Sequence, residues 1–117
     1  MINTAGEEMK LRLREDLKAA MKERRGEEVK VLRGLIAALD NAEAPEVVQK
    51  GLAIEQMGGV GSAEVRRLAL DADRVREVLA AQAEERETAA VELDRVGRAD
   101  VAAVSRAEAA VIRRYFD

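Results

Sequence analysis

Cysteine, histidine and tryptophan are absent from this 117-residue chain, and tyrosine, phenylalanine and proline occur once each. Without cysteine there is no disulfide, no thiol nucleophile and no thiolate zinc site. Without histidine the usual imidazole base is missing. With 2% aromatic residues, Leu, Val, Ile, Met and Ala must fill the core. Such side chains pack well between helices and make a poor binding pocket. A large excess of one charge is also missing: 20 Lys and Arg face 23 Asp and Glu, so bulk charge does not coat nucleic acid. No apolar run approaches the roughly 18 residues of a membrane span, and the charged N-terminus is unlike a secretory signal. A cytoplasmic protein away from membranes is the expectation.

The catalytic alternatives are equally thin. Ser62 and Ser105 are the only serines and neither has a base of the usual kind. Glu84, Glu85 and Glu87 diverge around a helix and read as a solvated face. The stretch Met57-Gly58-Gly59-Val60-Gly61-Ser62 lacks the lysine and spacing of a phosphate loop, so it reads as a linker. No cofactor, metal, small-molecule substrate or enzymatic activity is expected.

What the chain does have is helix. The chain is rich in Ala, Glu, Arg and Leu, and the punctuation predicts an all-α fold with main helices over residues 7–25, 27–41, 72–96 and 101–115. Thr4 suits a capping box with Glu7, Gly26 breaks the first helix, and Ala44-Pro45 ends the second. Asp71 or Asp73 caps the third, Gly97 stops it, and Asp100 caps the fourth. Residues 44–62, with Pro45 and four glycines, form a long loop whose part over 46–57 could make one marginal helical stretch. Short connections at Gly26 and at Gly97-Arg98-Ala99-Asp100 fold the helices into two antiparallel hairpins, packed as a small bundle in one domain, 1–117.

The apolar faces predict the packing. The first helix carries Met9, Leu13, Leu17, Ala20 and Met21. The second carries Val29, Leu32, Leu35, Ile36 and Leu39, a face wide enough for more than one neighbour. The third has Val75, Leu79, Ala89, Ala90, Leu93 and Val96, interrupted by Gln82 and Arg86. The fourth has Val101, Val104, Val111, Ile112 and Tyr115, interrupted by Glu108. Counting outward from the turn at about 1.5 Å per residue, Arg86 and Glu108 fall within one helical turn, so they form a structural ion pair or each snorkels to water.

Charge is distributed unevenly. Residues 10–33 are net +4 and residues 71–100 net −4. Lys10, Arg14, Lys18, Lys22 and Arg25 lie within a helical sector of roughly 120°, and Arg33 follows on the next helix. Such a ribbon could track phosphates, or it is a solvated face satisfied by Glu at i±4. Arg98 is either a further phosphate contact or a cation favoured at a helix C-terminus. Asn41 reads as a helix cap and Glu43 as an ion-pair partner of a neighbouring helix.

Particular stretches resemble the YqeY family: residues 13–22, Leu-Arg-Glu-Asp-Leu-Lys-Ala-Ala-Met-Lys; Val31-Leu32-Arg33 through Asn41-Ala42-Glu43; Glu85-Arg86 through Leu93; Gly97-Arg98-Ala99-Asp100; and Ala107-Glu108. The likeness spans residues 10–115. It implies an all-helical domain related to the helical region of the GatB subunit of the glutamine-dependent amidotransferase that acts on charged tRNA. The implied partners are tRNA or a tRNA-handling protein, and the family label is carbon–nitrogen ligase activity with glutamine as amide donor. The synthetase-like catalytic domain of that enzyme is outside this chain, so the resemblance implies no ligase chemistry here. It reads the chain as a short form without the family's second helical domain. The rival expectation is a protein-interaction or oligomerisation module that uses the broad apolar face of the second helix.

Overall fold

The structure, a computed structural model, describes residues 3–45 and 68–117. Four helices make up the described chain: α1 (Ala5–Lys22), α2 (Gly26–Glu43), α3 (Ala72–Arg95) and α4 (Ala99–Arg113), with no strand among the described residues. None is long and apolar enough to cross a membrane. The expected stretch over 46–57 and the glycine-rich Met57–Ser62 lie outside the described residues.

Local chemistry sets the helix ends. Thr4 Oγ1 accepts from the Glu7 amide at 3.1 Å and Asp71 Oδ1 from the Arg74 amide at 2.8 Å, so both helices begin on a side-chain cap. Both hairpin turns use one motif. The Gly97 amide donates to Asp94 O at 3.1 Å and the Arg98 amide to Leu93 O at 2.7 Å, with Gly97 at φ +80°. In the first turn the Arg24 amide donates to Met21 O at 3.2 Å and the Arg25 amide to Ala20 O at 2.9 Å. There the left-handed position, φ 57°, falls on Arg24 and not on glycine. The break therefore comes before Gly26, which is the first residue of α2. Asp100 does not cap α4. The cap position is Arg98, with no side-chain bond, and Asp100 sits in the first turn, where its charge still favours the helix dipole.

Helix α2 lies at the centre and packs against the other three. Its Val31, Leu32, Leu35 and Leu39 are buried with Leu13 of α1, Leu79 of α3 and Ile112 of α4. The broad apolar face is thus consumed inside the bundle, which removes it as a free docking surface. Between α3 and α4 the buried residues are small: Ala83, Ala90, Ala102 and Ala109. The stripes expected for these two helices shift accordingly, with Ala89 and Val104 exposed and Val96 69% exposed. From Val91 to Asp100 every side chain except the half-buried Leu93 faces solvent. Alanines fill the seam, and the valines near the turn have little to pack on among the described residues.

The segment entering α3 is tied to the first hairpin. Leu68 N donates to Glu43 O at 2.6 Å, Gly6 N donates to Leu70 O at 3.0 Å, and Leu70 is buried. A Cβ on Gly6 would stand 3.0 Å from Leu70 Cβ and 3.2 Å from Glu43 Oε2, so this crossing needs glycine.

Candidate nucleic-acid interface

The basic residues of α1 separate into two groups. A four-residue step turns a helix by about 400°, so a row at that spacing drifts about 40° per step. Following it from Lys10 to Lys22 leads from the interior to solvent. Arg14, Lys18 and Lys22 are exposed, and among the described residues no ion pair or hydrogen bond holds their head groups. Arg33 of α2 joins them, its Nη2 standing 3.9 Å from Met21 Sδ in the last turn of α1.

Lys10 departs from the expected ribbon. It is buried, with Nζ 2.5 Å from Glu43 Oε1 and 3.0 Å from Asp40 Oδ1. Burial alone would lower the pKa of this ammonium. The hydrogen bonds to Glu43 and Asp40 outweigh it and hold the group above its ordinary value. Reaching a phosphate would mean leaving a buried carboxylate, so Lys10 clamps the start of α1 to the end of α2. Glu43 thereby meets the neighbouring helix. Asn41 is an exposed residue inside α2, and its backbone oxygen, not its side chain, accepts from the Ala44 amide at 3.2 Å.

Arg25 also leaves the row. α1 ends at Lys22, so helical spacing does not carry as far as position 25. Its guanidinium pairs with Glu28 and lies 3.2 Å from Glu23. Arg98 belongs to the α3–α4 turn, with Nε 4.0 Å from Asp100 Oδ1. The structure thus groups Arg14, Lys18, Lys22 and Arg33, and puts Lys10, Arg25 and Arg98 elsewhere. Arg86 Nε lies 3.4 Å from Glu108 Oε1 across the α3–α4 seam, while its Nη1 donates to Gln82 O and Oε1 at 3.0 and 3.1 Å.

A second cluster escaped the sequence reading. On the other flank of α1, the Arg12 guanidinium lies 4.6 Å from the centre of the Tyr115 ring. Tyr115 Oη donates to Asp16 Oδ2 at 2.5 Å. Burial first, and then this bond, push the phenol pKa well above its ordinary value, so Tyr115 stays a protonated donor. Arg114 Nη2 stands 3.5 Å from Glu28 Oε1, and Arg25 pairs with the other oxygen of the same carboxylate. These groups enclose a polar cleft of about 250 Å³. No spacing rule could have found it, because it joins the middle of α1, the start of α2 and the chain end.

Fold and surface together define a small all-helical domain with a basic flank on its first helix. The chain matches the family model described as Yqey-like protein over residues 10–117, and it belongs to the YqeY family. No curated protein and no solved structure matches it.

Proposed function

We propose that this domain is a non-catalytic tRNA-binding module of the cytoplasm, associated with the tRNA-dependent amidotransferase or translation machinery. The observation that supports it is the exposed row Arg14, Lys18, Lys22, without ion partners among the described residues and flanked by Arg33. Each lysine or arginine that neutralises a phosphate releases counterions, so affinity should fall with salt. The test is a titration against total tRNA at two salt concentrations, with a DNA duplex as control. Micromolar binding that weakens steeply with salt and prefers tRNA is expected. The K18E/K22E variant should lose it with its helicity intact. No binding at low salt would end this reading in favour of protein association, for which the exposed Val91, Val96 and Val104 near the α3–α4 turn are the candidate surface. Concentration-dependent sedimentation would then be the measurement to make.

A further inference from the structure

The two aromatic residues of this chain are neighbours, and both lie under arginines. Arg12 covers Tyr115 at 4.6 Å, and Arg76 and Arg113 approach the Phe116 ring at 5.4 and 5.6 Å. Beside these rings an open cleft of about 450 Å³ runs between the first turns of α1 and α3, within the roughly 300–1,000 Å³ range of small-ligand sites. Its walls include Met9 and Val75, and Glu8 and Asp73 also line it. Arg12 and Tyr115 belong to this cleft and also to the smaller polar one that holds Arg25, Arg114 and Glu28. An apolar, ring-lined hollow and an arginine-lined hollow thus adjoin through two shared side chains.

We propose that the paired clefts bind one unpaired RNA nucleotide, the base against Tyr115 and Phe116 and its phosphate between Arg12, Arg25 and Arg114. The proposal rests on the RNA-binding reading above and locates a contact that the α1 row does not supply. Single-stranded RNA is held by stacking on aromatic rings and guanidinium planes, and arginine forks match phosphate oxygens. The charges sort the two halves of the ligand. In the larger cleft Glu8 and Asp73 balance Arg12 and Arg76 and can accept hydrogen bonds from base amino groups or ribose hydroxyls. In the smaller one Arg12, Arg25 and Arg114 outnumber Asp16 and Glu28 and favour the phosphate. In the smaller cleft the Glu28 carboxylate already lies between Arg25 and Arg114, as a phosphate would. A bound phosphate competes with Glu28 for those arginines. Tyr115 stays fixed because its hydroxyl is bound to Asp16.

The test uses the whole chain with three probes: a single-stranded RNA pentamer, the same sequence as a duplex, and adenosine monophosphate. Pentamer and mononucleotide should shift the backbone amide resonances of Ala72, Asp73 and Phe116, and the pentamer should bind about tenfold tighter than the duplex. The R12Q/R114Q variant should weaken the pentamer about tenfold and flatten its salt dependence by roughly 0.7 per lost phosphate contact. K18E/K22E should weaken tRNA far more than the pentamer, and equal losses would count against a separate site. E28Q, which removes the competing carboxylate and keeps every arginine, should tighten it several-fold; weaker binding by E28Q would count against the site, even if R12Q/R114Q failed to fold. Protein that binds tRNA but not the pentamer overturns the site and leaves the α1 row standing. Protein that binds neither overturns both. Strong binding of the mononucleotide with none of the pentamer would replace a strand by a free nucleotide and overturn the RNA assignment.

Discussion

The two hairpins solve the same packing problem with different materials. α1 and α2 join through large aliphatic side chains, Leu13 against Leu32, Leu35 and Leu39, and are clamped at one end by the buried Lys10–Glu43 pair. α3 and α4 join through alanines and are laced by ion pairs: Arg86–Glu108, Arg106–Asp94, and Arg113 with both oxygens of Glu87 at 2.6 and 2.9 Å. Alanine removes little apolar area from water but lets two helices approach closely. The first hairpin therefore depends on burial and the second on close fit and charge. Their turns differ in the same sense, with Gly97 in the left-handed position of one and Arg24 in that of the other.

Substitutions can break this contrast. The largest effect is expected from Leu35→Ala, which should cost about 3–5 kcal/mol by removing fully buried methyl groups. In the alanine seam the same logic reverses, and Ala90→Leu should destabilise by about 1–3 kcal/mol through overpacking. Denaturant midpoints of the two variants compare the seams directly. If Ala90→Leu proved neutral, the close α3–α4 fit would be wrong.

Lys10→Met comes next, at about 3 kcal/mol, because it takes the ammonium from a buried carboxylate. A double-mutant cycle of K10M with E43L in urea reads the coupling between the two groups. With the Lys10 pKa raised in the folded state, the clamp is fully present below the unfolded lysine value. Its contribution fades only as strongly alkaline pH passes the folded value.

The turns predict smaller, opposite changes. Arg24→Gly should raise stability by about 0.5 kcal/mol, since it relieves a left-handed L-residue while adding unfolded-state entropy. Gly97→Ala should lower it by about 1 kcal/mol. Thermal melts at neutral pH resolve both signs. The least effect is expected at Glu87, whose pKa is lowered by the hydrogen bond from Arg113. The sign follows from that depression: stabilisation is present above the unfolded carboxylate value and is lost as pH falls through the folded one. Glu87→Gln should therefore flatten the acid limb of the stability profile and leave the alkaline limb unchanged.

Much of this architecture is legible in the residues, and the misreadings have physical causes. Helix number, the hairpins, the Thr4 and Asp71 caps and the Gly97 stop follow from local chemistry, which the sequence displays directly. Gly26 misled because the turn motif tolerates Arg24 where glycine is the better residue. Val96 and Val104 misled because periodicity reports a face without saying whether anything lies opposite it. For Lys10 the helical row was right, but its drift carried one member into the interior. Arg12 and Tyr115 were beyond reach: the contact of Tyr115 with Asp16 spans 99 residues of sequence.

The scarcity of aromatics also makes the molecule its own spectroscopic probe. With no tryptophan and a single tyrosine, its ultraviolet emission comes from Tyr115. A phenol hydrogen-bonded to a carboxylate emits weakly, so the folded chain should be dim and brighten when the Tyr115–Asp16 contact opens. One unlabelled fluorescence trace therefore reports the junction of the first helix with the chain end. Neutralising Asp16 to Asn would raise the folded signal and calibrate it.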